Sequence, residues 1–378
     1  MEYYVSQEIV RLGHELTIVT YSRDKKIATS FEQNVEVVSL PFHVSYYNYH
    51  LPTLRGVLHI YRLIRNKKPN LILCWPLFSP LSVLSSLYQK MRQGQVVGSL
   101  ITGGPIATTI GLHAPNSIWS LLRFSFVKLV ITKFVKRYVD LVFVLSNGIK
   151  KLIQSYFGIP EKRLKIMHLG ADSNLFHRDS NMRSIIRKKT GIRSDQIVII
   201  TSGRIVPDKH IPMLLCSLAN INHEFSDVML LLLGDGDRKY VDHLKKLCRK
   251  YDIKNKVVFH SSVPRLELPQ YFSASDIAVW VGSPSISIAE AASSGLPIII
   301  AKSPFTSYLT SNNNGLLINS GDCNDLKMKL ETLIKNEKLR NEMGYQSRQL
   351  IETQLNWSII TEKFLKDCKK VLIDHYYL

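Results

Sequence analysis

The chain has 378 residues, a hydrophobic content of 45% and a formal net charge of +19. Because single hydrophobic cores stop growing near roughly 250–300 residues, this length predicts two domains. Five scattered cysteines, none in a Cys-x-x-Cys spacing, favour a reducing compartment and argue against a zinc site. The N-terminus lacks a signal-peptide layout and the most apolar helical stretch contains basic residues, so we expect no secretory leader and no transmembrane span.

The excess positive charge is concentrated in the first half of the chain. Residues 37–137 include no Asp or Glu but twelve Lys or Arg, interleaved with aromatic and aliphatic residues. This mixture is more typical of a protein that binds an anionic membrane surface than of one that binds nucleic acid. A solvated basic face is the alternative. We therefore expect a cytoplasmic protein, peripheral on the inner face of the membrane, with no nucleic-acid partner.

Short β-branched segments alternate with segments of helical periodicity, which predicts parallel α/β layers. The chain opens on a helix with the apolar stripe Val5, Ile9 and Leu12, followed by a strand at 15–20. The rest of the first half is predicted to hold strands at 35–40, 71–74, 96–102 and 141–145 and helices at 54–65, 81–92, 117–135 and 147–157.

A second α/β cycle follows a charged stretch that begins near residue 177. It predicts strands at 196–202, 228–233, 256–259, 276–281 and 297–301 and helices at 209–221, 239–251, 266–274 and 285–294. The tail repeats apolar residues at helical spacing and is predicted to be an amphipathic helix. The predicted domains are 1–175, 176–355 and a C-terminal helix, 356–378, that packs back on the first domain.

Arg204 and Lys209 follow the apolar strand that ends near Ser202. Doubly wound sheets bind ligands beyond the carboxyl ends of their strands, so these cations are placed for an acidic ligand. A diphosphate in a low-dielectric cleft needs such cations to neutralise it. A pair of surface charges at a strand end is the alternative interpretation.

Glu290 lies in an apolar helical segment, where an unpaired carboxylate is costly. Two ribose hydroxyls that donate to the carboxylate would satisfy it, and a buried salt bridge is the alternative. The start of the same predicted helix, at Ser285, Ile286 and Ser287, offers free backbone N–H groups suited to a phosphate.

Two further sequence features are predicted to line the same site. Gly234-Asp-Gly236 resembles part of a dinucleotide fingerprint but lacks the third glycine, so we interpret it as a strand-to-helix turn. Val258 and Phe259, at the end of the next strand, are predicted to line a base pocket, with plain core packing as the alternative.

These residues resemble the retaining nucleotide-sugar glycosyltransferases of family 4, also called glycosyl transferases group 1. The resemblance covers nearly the whole chain and is most specific from Gly203 to Leu317. It implies the GT-B fold, in which two doubly wound parallel-sheet, Rossmann-like domains face each other across a cleft. The family's Gly-Arg-x-x-x-x-Lys segment, which binds the donor diphosphate, matches Gly203, Arg204 and Lys209.

The resemblance also implies an activity, which is sugar transfer from a UDP- or GDP-linked donor to a glycan or lipid-linked acceptor. Arg204 and Lys209 would act as catalytic cations, and Gly234 and Glu290 would lie in the donor site. The nucleotide sugar would be a co-substrate, and no cofactor or metal is expected because the cations and a helix dipole take the role of a metal.

The sequence departs from the family pattern at three places. The first of the family's two glutamates would fall at Gly282. The family's first strand and Gly-rich loop precede the first helix and are missing here, so we expect a mis-assigned start. The family also carries a His after the fourth strand of the first domain; His113 is the candidate here, although a lone loop His is more often merely exposed.

Three other functions remain open at this point. A nicotinamide oxidoreductase would use similar layers but would not need Arg204 together with Lys209. A sugar-nucleotide epimerase shares the GT-B fold and would convert the donor without an acceptor. A binding-only relative, degraded at Gly282 and in the missing loop, would bind nucleotide without turnover.

Overall fold

The computed structural model describes residues 2–24, 26–46, 49–74, 96–101, 133, 137 and 139–376. The chain forms two compact units. Unit 1 comprises Met1–His168 with Ile360–Leu378, and unit 2 comprises Leu169–Ile359. The borders predicted at 175 and 355 lie a few residues from these limits. The predicted helix at 81–92, all of the predicted helix at 117–135 except residue 133, and His113 lie outside the described residues.

The first segment of unit 1 folds into alternating helices and strands. They are α1 (Glu2–Arg11), β1 (Thr17–Ser22), β2 (Ala28–Glu32), β3 (Val35–Tyr46), β4 (Tyr49–Pro52), α2 (Leu54–Lys67), β5 (Leu71–Cys74), β6 (Val96–Ile101), β7 (Leu141–Val144), α3 (Asn147–Phe157) and β8 (Leu164–Ile166). The first described element is therefore a helix, as predicted, and the first strand follows it.

The strands of unit 1 form two sets. β5, β6, β7 and β8 pair in that order, all in parallel. β1 pairs in parallel with β3, whereas β2 and β4 pair with β3 in antiparallel orientation. The sequence predicts β1, β3, β5, β6 and β7 but not these two antiparallel additions. β2 is exposed along its whole length, so no alternation of apolar and polar residues marks it.

Unit 2 is a doubly wound domain. In chain order its elements are α4 (Ser180–Thr190), β9 (Ile197–Ser202), α5 (Ile211–Asn222), β10 (Val228–Leu233), α6 (Arg238–Lys250), β11 (Val257–His260), α7 (Leu268–Ser273), β12 (Ile277–Trp280), α8 (Ser287–Ser293), β13 (Ile298–Ala301), β14 (Gly315–Ile318), α9 (Cys323–Lys335) and α10 (Glu337–Leu350). Its core joins the apolar faces of these strands to α5, α6 and α9.

The six strands of unit 2 form one parallel sheet in the order β11-β10-β9-β12-β13-β14. The chain runs outward from β9 to β11, then returns to β12 and runs outward on the other side. The strand order therefore reverses between β9 and β12. In open α/β sheets this reversal opens a crevice at the carboxyl ends of the two strands, where ligands bind.

A last helix, α11 (Trp357–Tyr376), ends the described chain. Its Phe364 ring lies 4.8 Å from the Phe143 ring of β7, and both belong to unit 1. Lys165 at β8 lies 4.0 Å from Asp367 of the same helix. In the part of the chain that the structure describes, no helix is both long and apolar enough to cross a bilayer.

Candidate functional site

The loops that follow β9 and β12 are tied together where the strand order reverses. The Trp280 indole N–H donates to the carbonyl of Ser202 at 3.0 Å, which joins the two strand ends. Farther out, the Ser283 backbone N–H donates to the Asp208 carbonyl at 2.9 Å, and its hydroxyl donates to the Asp208 carboxylate at 2.8 Å. The two loops therefore form one surface at the predicted site.

Lys209 lies within this surface. Its ammonium donates to the carbonyl of Ser283 at 2.8 Å and contacts that of Pro284 at 3.3 Å. Burial lowers the pKa of Lys209 from its ordinary 10.5, and the nearby Arg204 lowers it further, while Asp208 opposes both effects. An anion beside Lys209 would reverse this penalty, since a negative charge favours the charged form of a lysine.

Arg204 is exposed and has no hydrogen-bond or ion-pair partner among the described residues. It lines a small cavity at the carboxyl end of β9 together with Thr201, Ser202, Gly203 and Lys209. The Ser202 hydroxyl is buried there and makes no hydrogen bond to the residues described. Free cationic and hydroxyl donors at one strand end are what a polyanionic ligand requires.

The glycines of this edge are required by positive φ angles or by close backbone packing. Gly203 has a φ of +127° and its N–H donates to the Leu233 carbonyl at 3.0 Å. Gly234 has a φ of +151°, and a Cβ placed on it would lie 1.9 Å from the Gly203 carbonyl oxygen. A Cβ on Gly236 would lie 2.2 Å from the Ile205 carbonyl oxygen. Gly234-Asp-Gly236 thus keeps the ends of β9 and β10 close together.

The helix that carries Glu290 is shorter than predicted. It begins at Ser287 rather than Ser285 and has seven residues. The Ser287 N–H donates to the Ser285 hydroxyl at 3.3 Å, so one of the three backbone donors expected to face a phosphate is used within the turn. Ile286 occupies the N-cap position. Lys209, which donates to the two carbonyls just before this turn, supplies the positive charge there.

Glu290 is completely buried and its two oxygens differ. One oxygen, Oε1, accepts an ion-paired hydrogen bond from Arg265. The other, Oε2, has no partner in the described chain. Arg265 also lies 5.7 Å from the centre of the Phe176 ring. The salt-bridge alternative is therefore present, but it satisfies half of the carboxylate and leaves one oxygen available to a donor such as a hydroxyl.

Gly282, where the family's first glutamate would fall, is packed against the loop that carries Lys209. A Cβ built there would lie 2.3 Å from the Asp208 carbonyl oxygen and 2.6 Å from the Lys209 carbonyl carbon. Any side chain at this position would displace the backbone next to Lys209. The departure is therefore built into the local packing, and a single substitution to glutamate would not restore the family pattern.

The predicted base pocket is less distinct. Val258 and Phe259 are half-buried, and Phe259 packs against the core of unit 2 with Lys245 5.7 Å from the centre of its ring. Beside them, the Asp235 carboxylate accepts from the Ser262 backbone N–H at 3.2 Å and from its hydroxyl. The core interpretation of Phe259 therefore fits its packing.

Sequence reasoning missed two members of this site. Arg265 pairs with a residue 25 positions away, and nothing in the residues around it marks the contact. Ser202 is the last residue of a buried strand, and only its position at the strand order reversal could have indicated it. Among the residues with described positions, no group of three His, Cys, Asp or Glu could hold a metal ion.

Comparison with solved structures identifies the architecture. The structure of the Anabaena protein HepE in complex with UDP matches with a TM-score of 0.75 at 16% sequence identity, covering 94% of this chain and all of that one. At such low identity the likeness concerns the fold alone. It establishes the GT-B fold, in agreement with the prediction from the sequence.

Two curated proteins of similar sequence are also glycosyltransferases. The sulfoquinovosyl transferase SQD2 of Arabidopsis thaliana is 26% identical over 76% of this chain and 56% of its own length. The GDP-mannose-dependent alpha-(1-6)-phosphatidylinositol monomannoside mannosyltransferase of Mycolicibacterium smegmatis is 22% identical over 74% of this chain and 71% of its own length. The chain thus spans little more than half of the first relative.

Two family models divide the chain between them. Residues 3–175 match the model described as Glycosyltransferase Family 4, and residues 182–350 match the one described as Glycosyl transferases group 1. Both halves of the sequence therefore point to the same family, whose GT-B architecture the structure shares. The chain belongs to the group 1 glycosyl transferases of family 4.

Proposed function

We propose that this protein is a retaining glycosyltransferase that moves a sugar from a UDP- or GDP-linked donor to a glycan or lipid-linked acceptor. The observation that carries the proposal is the pair of unsatisfied groups at the carboxyl edge of unit 2. These are the exposed Arg204 guanidinium and the buried Oε2 of Glu290, which have no partners among the described residues. A nucleoside diphosphate has the complementary groups, a pyrophosphate and a ribose diol.

In this proposal the donor is held by unit 2. Arg204 and Lys209 bind the diphosphate. Burial disfavours the charged ammonium of Lys209 in the free protein, and the negative charge of the diphosphate stabilises it again. The ribose hydroxyls donate to Glu290, whose other oxygen is held in place by Arg265. The similarity to HepE, which was solved with UDP, supports a nucleotide ligand of this kind.

The same cations assist the chemistry that we propose. As the bond between the sugar and the diphosphate breaks, negative charge grows on the leaving diphosphate, and fixed cations lower the energy of that state. The acceptor hydroxyl attacks on the face that the diphosphate leaves and passes its proton to the leaving diphosphate, so the new glycosidic bond retains the anomeric configuration. Arg204 and Lys209 take the role of a metal ion, so we expect activity to persist in a chelator such as EDTA.

Calorimetric titration with UDP and GDP tests the donor site. We expect one of the two to bind, and Arg204→Ala to weaken its binding about tenfold or more, the effect of losing one charge-assisted hydrogen bond. Arg249→Ala is the matched control. Arg249 is also exposed, and it lies near the end of α6, at the opposite edge of the sheet. Equal loss in both variants, or no binding of either nucleotide, would refute the site.

A turnover assay separates the transferase from its alternatives. With UDP- or GDP-sugars and a membrane extract as acceptor source, a transferase releases the nucleoside diphosphate and yields a product with the donor's anomeric configuration, both visible by NMR. An epimerase would change the donor without any extract. A binding-only relative would bind the nucleotide and release none, which would contradict the proposed activity.

A lipid-linked acceptor is favoured by the outer face of α2 in unit 1. The helix contains no Asp or Glu, and Gly56, Ile60 and Ile64 on its inner face are buried. The opposite face exposes three apolar side chains: Leu54, Leu58 and Tyr61 are 74%, 49% and 40% exposed. The same face carries the exposed arginines Arg55, Arg62 and Arg65.

Apolar side chains flanked by arginines suit the interface of an anionic membrane, where the arginines meet lipid phosphates. We propose that unit 1 binds the acceptor and docks on such a membrane through α2. The M. smegmatis relative, whose name states a phosphatidylinositol monomannoside substrate, supports an acceptor of this class.

Liposome flotation tests the α2 face. We expect the protein to float with vesicles rich in phosphatidylglycerol but not with phosphatidylcholine alone, and to dissociate at high salt because exposed charges are screened. Leu54→Ser combined with Leu58→Ser should reduce flotation severalfold. Ile185→Ser on α4, which also removes an exposed apolar side chain, should leave it unchanged. Equal flotation of all variants would refute docking through α2.

A further inference from the structure

Two cysteines of unit 2 lie side by side on the helices α5 and α9. Cys216 is in the middle of α5, and Cys323 is the first residue of α9. Their Sγ atoms are 2.7 Å apart although 107 positions separate them in the chain. Both cysteines are half-buried, whereas the other three, Cys74, Cys248 and Cys368, are buried. Only this pair combines proximity with access from solvent among the described cysteines.

Local hydrogen bonds hold the two sulfurs in this arrangement. Ser217, fully buried on α5, has its hydroxyl 3.0 Å from the Cys323 carbonyl oxygen and 3.2 Å from the Cys323 sulfur. The Asn220 amide lies 3.7 Å from the same sulfur. The carboxylate of Asp322 caps α9. These contacts hold the first turn of α9 against α5 and keep the two sulfurs side by side.

The sulfur separation favours a disulfide over a metal site. A disulfide bond is about 2.0 Å long, so the sulfurs need to approach by about 0.7 Å. Two thiolates that share a tetrahedral zinc ion, each about 2.3 Å from it, would lie about 3.8 Å apart. No third His, Cys, Asp or Glu completes a metal-binding group in the described part of the chain.

We propose that Cys216 and Cys323 form a reversible dithiol–disulfide couple, a modification site separate from the donor site. The oxidant is a small disulfide of the glutathione class. One cysteine thiolate attacks it, releases one glutathione thiolate and forms a mixed disulfide; the second cysteine attacks the mixed disulfide and releases the other. The two cysteines lose two protons and two electrons, and one oxidised glutathione becomes two reduced glutathiones.

The environment of Cys216 sets the conditions of this exchange. Burial, together with the neighbouring Cys323, raises the pKa of Cys216 to about 11, so this cysteine is a protonated thiol at neutral pH. Since a thiolate is the attacking species, the couple should oxidise faster at mildly alkaline pH. The bond closes a long loop that contains most of unit 2, and cross-links of that kind stabilise a fold by restricting the unfolded chain.

The experiment treats the full chain with oxidised glutathione, alkylates the remaining thiols and compares intact masses and proteolytic peptides. We expect the loss of two hydrogen atoms, a cross-linked peptide pair containing Cys216 and Cys323, and a Tm higher by about 5 °C or more. Dithiothreitol should reverse all three changes. Cys248 and Cys368 should be alkylated after denaturation, which provides an internal control.

Cys216→Ser and Cys323→Ser should each abolish both the loss of hydrogen and the rise in Tm. The proposal is overturned if glutathione stays attached to either cysteine without a bridge. It is equally overturned if the internal bond persists in both variants, because the bond would then involve other cysteines. None of these measurements uses a nucleotide, so the outcome is independent of the proposed transferase activity.

Discussion

The two ends of β12 each place a carboxylate beside arginine, and the two carboxylates differ in how completely they are satisfied. Asp276, just before the strand, accepts from Arg183 at 2.8 Å on Oδ1, and from Arg187 at 2.7 Å and a backbone N–H at 2.8 Å on Oδ2. Glu290, beyond the other end, pairs with Arg265 through one oxygen, and its second oxygen has no partner within the described residues.

The difference separates a structural carboxylate from a ligand-binding one. A buried polar atom without a hydrogen-bond partner lowers the stability of the fold. Such an atom in a native protein therefore indicates that a ligand supplies the partner. Both oxygens of Asp276 accept hydrogen bonds from within the protein, and the residue joins α4 to the start of the sheet. Glu290 keeps an acceptor at the carboxyl edge, where sheets of this type bind their ligands. Substitutions at the two ends should therefore affect different properties.

The largest expected effect is on stability, at Asp276. Asp276→Ala leaves the buried Arg187 without its ion-pair partner, and breaking a buried pair on one side typically costs about 3–5 kcal/mol. We expect a loss of this size in the free energy of unfolding, measured by urea denaturation. Nucleotide affinity of the folded fraction should stay within about twofold, since the site lies at the other end of β12. A strong loss of nucleotide affinity in Asp276→Ala would contradict the assignment of Asp276 to structure and of Glu290 to ligand binding.

The next effect concerns the partner of Glu290. Arg265→Met removes the only cation paired with a fully buried carboxylate in the described chain, and we expect a loss of about 2–3 kcal/mol in unfolding free energy. The double variant Arg265→Met with Glu290→Gln should recover most of it, because no buried charge is then left unpaired. Additive losses in this double-mutant cycle would show that the two side chains do not interact.

Glu290→Gln should have the opposite effect to Asp276→Ala, with a large loss of nucleotide affinity and a small change in stability. Glutamine keeps the size of the side chain but loses the charge that holds two ribose hydroxyls, so we expect nucleotide affinity to fall about tenfold. The free energy of unfolding should change by less than about 1 kcal/mol, because the buried orphan oxygen is no longer part of a charged group. Calorimetry and urea denaturation on one preparation provide both values. Unchanged affinity would remove Glu290 from the donor site.

The sequence predicts most of the elements that position this site. β10 and α3 begin and end at the predicted residues. The other predicted strands of unit 2 begin or end within one or two residues of their predicted limits. β10 is a continuous buried apolar run, and α3 has apolar residues at helical spacing with a clear N-cap at Ser146 and a Gly158 C-cap. β2 and β14 were not predicted as strands, since exposed or short strands carry little pattern of their own.

The contacts inside the site are harder to predict. Motif spacing identifies Arg204, Lys209 and Glu290 as candidates. It does not reveal that Arg265 holds Glu290 or that the Lys209 ammonium binds the carbonyls of the β12 loop. Both contacts join residues that are distant in the sequence, and they exist only because the parallel sheet brings its strand ends together. Pairings of this kind follow from topology and not from local pattern.

The smallest expected effect concerns Lys209 and is a dependence of nucleotide affinity on pH. Its pKa in the folded protein lies below the ordinary 10.5, mainly through burial, and a bound diphosphate should raise it. Nucleotide affinity should therefore be constant at neutral pH and fall severalfold as pH rises through the folded-state pKa. Dividing the affinity of the native protein by that of Lys209→Met at each pH cancels the titration of the nucleotide itself.

The same shift predicts the stability of the Lys209→Met variant. A lysine whose pKa is lowered by folding binds fewer protons in the folded state, so its cost to stability is largest at neutral pH and declines as pH rises through the folded-state pKa. Lys209→Met removes that cost but also loses the hydrogen bonds to Ser283 and Pro284. Relative to the native protein, the variant should therefore be most stable near pH 7 and lose its advantage in alkali. A stability difference that does not vary with pH would show that Lys209 is not desolvated at the ligand-binding end of β12.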